Sequence, residues 1–168
     1  MGHLRKATFT DLKYVAANMR EIDKIEALYQ TGQEPKQALQ LSYICSNINM
    51  AIADDYDHPI GLCGVVPGGV IWMVATDKLF ENKKYRIQLI RKGRKWVESL
   101  LKKYKVLYNF VYAENDSAIK WLKSLGFTFI QYHEHYGMQG KPFYEFLSIA
   151  KMCFAAFPAI GALGTAAT

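Results

Sequence analysis

Three groups of residues in this 168-residue chain have types and spacing that bear on chemistry. His133-Glu134-His135 sets two imidazoles two positions apart, which on a strand share a face and could ligate a divalent cation. No further ligand accompanies them, so they are read as a structural pair on the rim, and no metal is expected. Lys83, Lys84, Arg86, Arg91, Lys92, Arg94, Lys95, Lys102, Lys103 and Lys105 crowd one stretch, opposed there only by Glu81 and Glu98. A face of that sign attracts phosphates, nucleic acid or an acidic protein surface. As part of a helix, its first reading is a solvated face. The third group is Ala113 to Phe127, where Asn115 stands as a helix N-cap and Asp116 complements the helix dipole. Ala118, Trp121, Leu122 and Leu125 then recur at helical spacing, and Gly126 supplies the residue tolerant of positive φ at the helix end.

The elements that must position these groups follow from periodicity. His3 to Thr8 is a short strand, and Thr10-Asp11 caps a helix carrying Leu12, Val15, Ala16 and Met19. That helix continues or breaks near Glu21, where Ile22, Ile25 and Leu28 are apolar. Pro35 opens a further helix with a stripe of Ala38, Leu41, Ser42, Cys45 and Ile48. Asn49 to Ala53, Ile60 to Val66 and Val70 to Ala75 are strands, the last two joined by the turn Pro67-Gly68-Gly69. A basic helix runs from Asn82 to Tyr104, with Ile87, Ile90, Val97, Leu101 and Tyr104 as its buried face. Val106 to Tyr112 is a central strand. After the Asn115 helix come Phe127 to Tyr132, a Gly/Pro-rich crossing from Gly137 to Pro142, and Phe143 to Ile149. The order is β-α-α-β-β-β-α-β-α-β-β.

Composition sets the class. Hydrophobic residues make up 51% of the chain, the net charge is +6, and the length suits one domain with a core of its own. Cys45, Cys63 and Cys153 share no metal-ligand spacing and read as free thiols in a reducing compartment. The first residues lack the apolar region of a secretory signal and the Ser or Thr of a myristoylation site, and no segment is expected to span a membrane. Trp72, Trp96 and Trp121 are spaced as core or interface aromatics. Residues 1–150 are read as one domain and 151–168 as a small-apolar tail, either loosely ordered or a docking peptide for a partner.

The run Asn115-x-x-Ala118, helix, Leu125-Gly126-Phe127, within this element order, resembles the GCN5-related N-acetyltransferase (GNAT) superfamily. The implied fold is α/β: a single domain with a twisted mixed sheet of six to seven strands flanked by helices. Within it the chain resembles the internal virion protein A family of T7-like podophages. The matching residues are Arg5-Lys6-Ala7-Thr8 before Asp11-Leu12, Met19-Arg20-Glu21-Ile22-Asp23, Glu26-Ala27-Leu28, Pro35 to Leu39, Trp72 to Asp77, and Tyr112-Ala113-x-Asn115 leading into Ile119 to Phe127. The resemblance implies a role in assembling the phage's internal core, or in acting on its proteins, in the host cytoplasm during infection and in the virion, with virion or core proteins as partners. Fold alone does not imply acetyl transfer.

The GNAT resemblance also implies an acyl-CoA cleft where the strand before the Asn115 helix splays from its neighbour. With acetyl-CoA as cofactor, the candidate contacts are Met73, Val74, Ala75, Lys83, Arg86 and Asn115. The chemistry looks degraded. Lys78 to Tyr85 contains no glycine for the pyrophosphate loop, and Gln88 to Arg94, with Gly93 alone, lies inside a helix. The superfamily's usual tyrosine acid is replaced by Leu122, which has no proton to give; Tyr132 and Tyr136 are the substitutes at hand. Glu21, Asp23, Glu26 and Asp77 are the available bases. The leading reading is therefore a phage internal virion or assembly protein with a degenerate acyl-CoA cleft. The alternatives are an active acetyl-CoA-dependent N-acetyltransferase acting on a host or phage protein, and a nucleic-acid-binding module using the Lys83–Lys105 face.

Overall fold

A computed structural model describes residues 2–150. In chain order the elements are β1 (His3–Lys6), α1 (Phe9–Ala17), α2 (Glu21–Thr31), α3 (Pro35–Cys45), β2 (Ile48–Ala53), β3 (Pro59–Val66), β4 (Val70–Ala75), α4 (Asp77–Glu81), α5 (Lys83–Tyr104), β5 (Val106–Tyr112), α6 (Asp116–Leu125), β6 (Thr128–Tyr136) and β7 (Lys141–Ile149). The expected tail and Cys153 lie outside the described residues.

Local chemistry sets the boundaries. Thr8 and Asp11 form a reciprocal capping box at α1. Glu34 caps α3 and Pro35 opens it. Gly32 ends α2, and Gly126 ends α6, in the left-handed region. The seven strands form one sheet in the order β1-β2-β3-β4-β5-β7-β6. Every neighbouring pair is antiparallel except β4 and β5, which run parallel and share a single register pair, Val70 with Tyr108. Gly69 makes that approach possible, because a Cβ there would collide with the Val106 carbonyl oxygen.

Two apolar layers cover the sheet. On one side α5 and α6 bring Val97, Leu100, Leu101, Leu122 and Leu125 onto Leu107, Val111, Phe127 and Phe146. Another cluster joins Leu12, Val15, Ala16 and Met19 to Leu39, Ala51 and Leu62. Gly93 lets α5 and α6 close on each other, since a Cβ there would lie 2.9 Å from a Leu125 methyl.

The structure corrects several expectations. Three helices, not two, separate β1 from β2, because residues 18–20 leave helical geometry to meet the end of β4. A short helix, α4, precedes the basic one. The buried face of α5 runs through Tyr85, Leu89, Gly93, Val97, Leu100 and Leu101, and Ile87 is exposed. On α3, Ala38 and Leu39 are buried while Leu41 and Cys45 face solvent. Residues 137–140 form a tight turn joining the antiparallel neighbours β6 and β7, not a crossing.

Candidate functional site

The site is the gap between β4 and β5. Tyr108 donates its backbone N–H to the Gly69 carbonyl at 3.0 Å, and the Asn109 side-chain amide donates to the Ile71 carbonyl at 2.8 Å. Past Ile71 no ladder pair joins the two strands among the described residues, leaving backbone groups that need partners. The chain supplies them itself. Met19 makes an antiparallel bridge with Thr76, and Arg20 donates its backbone N–H to the Ala75 carbonyl at 3.0 Å. Asp23 Oδ2 accepts the Ala75 N–H at 3.0 Å. Across the gap, Glu26 Oε2 accepts the Tyr112 N–H at 3.1 Å and the Asn115 amide at 2.9 Å.

Arg20, Asp23 and Glu26 recur every third residue, which sets their side chains close together along this stretch. The Arg20 guanidinium grips Asp23 with two hydrogen bonds, 3.0 Å from Nε and 2.6 Å from Nη2. Its third nitrogen donates to the Ser117 hydroxyl at 2.8 Å, and the Phe80 ring of α4 lies 3.8 Å from its centre. Ser117 in turn donates to Asn115 Oδ1, which also accepts the Ala118 N–H and so caps α6. The start of α2 is thereby tied to the N-terminus of α6 across the mouth of the gap.

Burial pushes the Asp23 carboxyl up from its ordinary range against the opposing pull of Arg20. Burial likewise pushes Glu26 up to about 7; the Asn115 amide opposes this and the Asp23 charge adds to it. Behind these residues lies a hollow of about 250 Å³, walled by Trp72, Trp96, Trp121, Leu122, Phe127 and Phe146. Cys63 also lines it, and burial pushes its thiol up to about 12, so it stays neutral.

The residues expected to hold a cofactor separate into three sets. Met73, Val74 and Asn115 line the hollow. Ala75 borders the gap with both backbone groups already engaged. Lys83 and Arg86 stand exposed in the first turn of α5. Where a glycine loop would follow β4, α4 intervenes, and the cations nearby are paired: Lys78 with Asp54 at 2.6 Å and Lys84 with Asp55 at 2.5 Å. The Asn82 side chain accepts the Lys84 N–H at the start of α5. Gly93 serves helix packing.

Among the expected bases, Asp23 and Glu26 enter the gap. Glu21 is exposed and pairs with Lys24, and Asp77 is exposed at the start of α4. Leu122 is buried in the hollow's wall. Tyr136 stacks on Phe110 at 4.0 Å and Tyr132 is half exposed. His133 meets Glu145 at 3.0 Å and His135 the Gly140 carbonyl at 3.3 Å, with a register shift separating them. Sequence reading missed the roles of Arg20 and Ser117; the repeated three-residue spacing from Arg20 was the available signal.

A seven-stranded mixed sheet that splays between β4 and β5 beside an Asn-capped helix defines a GNAT-like fold, and solved structures agree. Spermidine N-acetyltransferase from Vibrio cholerae in complex with CoA and spermine superposes with a TM-score of 0.65 at 16% identity, over 88% of this chain and 95% of that one. The ribosomal-protein-S18-alanine N-acetyltransferase of Escherichia coli gives 0.61 at 16% identity, over 94% and 99%. At such identities the likeness establishes the fold alone. A family model described as Bacteriophage T7, probable scaffold protein Gp13, matches residues 53–136, and the chain belongs to that family. The probable scaffold protein gp13 of Escherichia phage T7 is 31% identical over 101 residues, covering 57% of this chain and 66% of that relative, just under two thirds of its length. The connection to T7-like phages drawn from the sequence therefore holds.

Proposed function

We propose that this chain is a bacteriophage assembly protein that keeps the GNAT fold as a protein-binding framework and does not transfer acetyl groups. It acts in the infected host's cytoplasm while particles form and is carried in the virion, with other virion or core proteins as partners. Membership of a scaffold-protein family supports the assembly role. The observation that carries the loss of transfer chemistry is the occupied gap. Asp23 and Arg20 take both backbone groups of Ala75, and Glu26 takes the Tyr112 N–H, so an entering pantetheine arm would find those partners engaged. The absence of glycine from Lys78 to Tyr85 points the same way. The exposed cations of α5 offer a surface for an acidic partner.

The test has two arms. Deleting the gene from its phage is expected to leave incomplete or non-infectious particles, restored by the gene in trans; complete, infectious particles would overturn the assembly role. Calorimetric titration with acetyl-CoA is expected to give no heat of binding at millimolar cofactor; micromolar binding would overturn the claim of a closed gap. One observation favours a second reading, an active N-acetyltransferase: Glu26, pushed up to about 7, is poised as a base at neutral pH. Transfer of a labelled acetyl group to any member of an amine and peptide panel, lost in Glu26→Gln, would establish it.

A further inference from the structure

Residues opposite one another in a ladder share a face of the sheet, and neighbours along a strand alternate between faces. On β5 and β7, Leu107, Val111 and Phe146 face α5 and α6. The opposite face therefore carries Val106, Tyr108 and Phe110 of β5, across from Ile149, Leu147 and Glu145 of β7. Thr128 and Gln131 of β6 continue it beside Leu147 and Glu145. Val106, Tyr108, Phe110, Leu147 and Ile149 belong to none of the apolar clusters that the described helices build on the sheet. Helix α2 meets only one end of this face, where Tyr29 packs on the Tyr112 ring. Further along, Tyr108 is 37% exposed and Ile149 58%, while Val106 and Leu147 are half-buried.

The chain itself leaves the sheet at this face. The Ala150 N–H donates to the Lys105 carbonyl at 2.8 Å, so the residues beyond Ala150 start beside the Val106–Ile149 pair. Residues 152–168 carry no charged side chain, and Met152, Phe154, Phe157, Ile160 and Leu163 are set among alanines and glycines. That chemistry matches the face, whose Glu145 already meets the His133 ring at 3.0 Å. Three neighbouring strands measure about 10 Å across, which three or four extended residues span. Covalent attachment also gives the segment an effective concentration of roughly millimolar order, which a free partner would have to exceed. An apolar sheet face left open would favour unwanted association.

We propose that this face is the docking surface for the chain's own residues 151–168, which fold back to set their phenylalanine and aliphatic side chains on Tyr108, Leu147 and Ile149. A partner that takes either surface must first separate the two. The docking rests on neither the assembly role nor the closed gap.

The full chain, isotope-labelled at Ile, Leu and aromatic positions, tests this by nuclear Overhauser contacts and by relaxation from a soluble paramagnetic probe. Contacts from the Ile160 and Leu163 methyls to the Tyr108 ring and the Ile149 methyls are expected, and they should persist on dilution. Phe154→Asp combined with Phe157→Asp is expected to remove them and to raise probe relaxation at Tyr108 and Ile149. Leu107 and Phe146, on the opposite face, should keep their shifts and so report an intact sheet. Ile149→Asp, and independently Tyr108→Ser, alter the face rather than the segment and are expected to lose the same contacts. Contacts found only between differently labelled copies would assign the face to a second copy and overturn the proposal. No contact from residues 151–168 to the face, or probe relaxation unmoved by the phenylalanine substitutions, would overturn it too and leave the face to another protein.

Discussion

Asn115 serves two elements at once: its carbonyl oxygen caps α6 through the Ala118 N–H, and its amide donates to Glu26 of α2 at 2.9 Å. Asn115 is also almost wholly buried, at 1% exposure. Asn115→Ala therefore removes a cap and leaves the Glu26 carboxyl short of a donor. Stability is expected to fall by about 2 kcal/mol, combining a cap with one buried hydrogen bond. Asn115→Asp keeps the cap and replaces the amide with a like charge, so it should also cost stability, and more so at pH 8 than at pH 5. Urea unfolding at the two pH values measures both. A loss from Asn115→Ala no larger than a surface cap's would mean that the Glu26 contact contributes little.

The Arg20–Asp23 pair is buried, at 6% and 8% exposure. Removing one member strands the other charge. Arg20→Ala and Asp23→Ala are each expected to destabilise the chain by about 3–5 kcal/mol. Removing both should cost clearly less than the sum, since each single variant carries the penalty of an unpaired buried charge. A denaturation double-mutant cycle reads this directly. Additive losses would mean that the two residues act separately.

What the sequence revealed and what it hid follow from range. The Asn115 cap, the Gly126 stop and the strand runs are local, fixed by residues within one helical turn or one strand. The closure of the gap is not. Asp23 meets Ala75 across 52 positions and Glu26 meets Tyr112 across 86, so no short window contains either contact. The α5 face was misjudged because two apolar stripes compete there. Tyr85 and Leu89 continue into Gly93 and Val97, whereas Ile87 and Ile90 make an equally apolar start in which Ile87 is exposed and Ile90 only half-buried. Gly93 decided the matter through its contact with Leu125, which a glycine in a sequence does not announce.

That contact yields a further prediction. Gly93→Ala gains helix propensity but drives a methyl to within 2.9 Å of a Leu125 methyl in a packed interface. Overpacking is expected to outweigh the propensity gain, with a net loss of about 1 kcal/mol in thermal or urea unfolding. Gly93→Ala combined with Leu125→Val should recover part of it. A stabilised Gly93→Ala would mean that the helices have room to separate.

The pH dependence of stability should carry two opposed slopes, from carboxyls held low, Asp54 and Asp11, and carboxyls pushed up, Glu26 and Asp23. Burial pushes Asp54 up, but the Lys78 ammonium and the Tyr56 and His58 N–H groups prevail and hold it down at about 2. Its folded value lies below its unfolded one, so its contribution is present above about pH 4 and is lost as pH falls toward 2, worth about 2 kcal/mol. Glu26 runs the other way. Its folded value near 7 lies above the unfolded value of 4.5, so between those limits the folded chain binds more protons than the unfolded chain. Stability from this group is therefore full below about pH 4.5 and declines as pH rises to 7, by up to about 3 kcal/mol before allowance for solvent at the gap. Urea midpoints from pH 3 to 8 should peak near pH 4–5. Glu26→Gln should reduce the slope on the neutral side, which the raised Asp23 shares, and Asp54→Asn the slope on the acid side, which the lowered Asp11 shares. A neutral-side slope left unchanged by Glu26→Gln would mean that Glu26 contributes none of it and that the raised Asp23 carboxyl carries the decline.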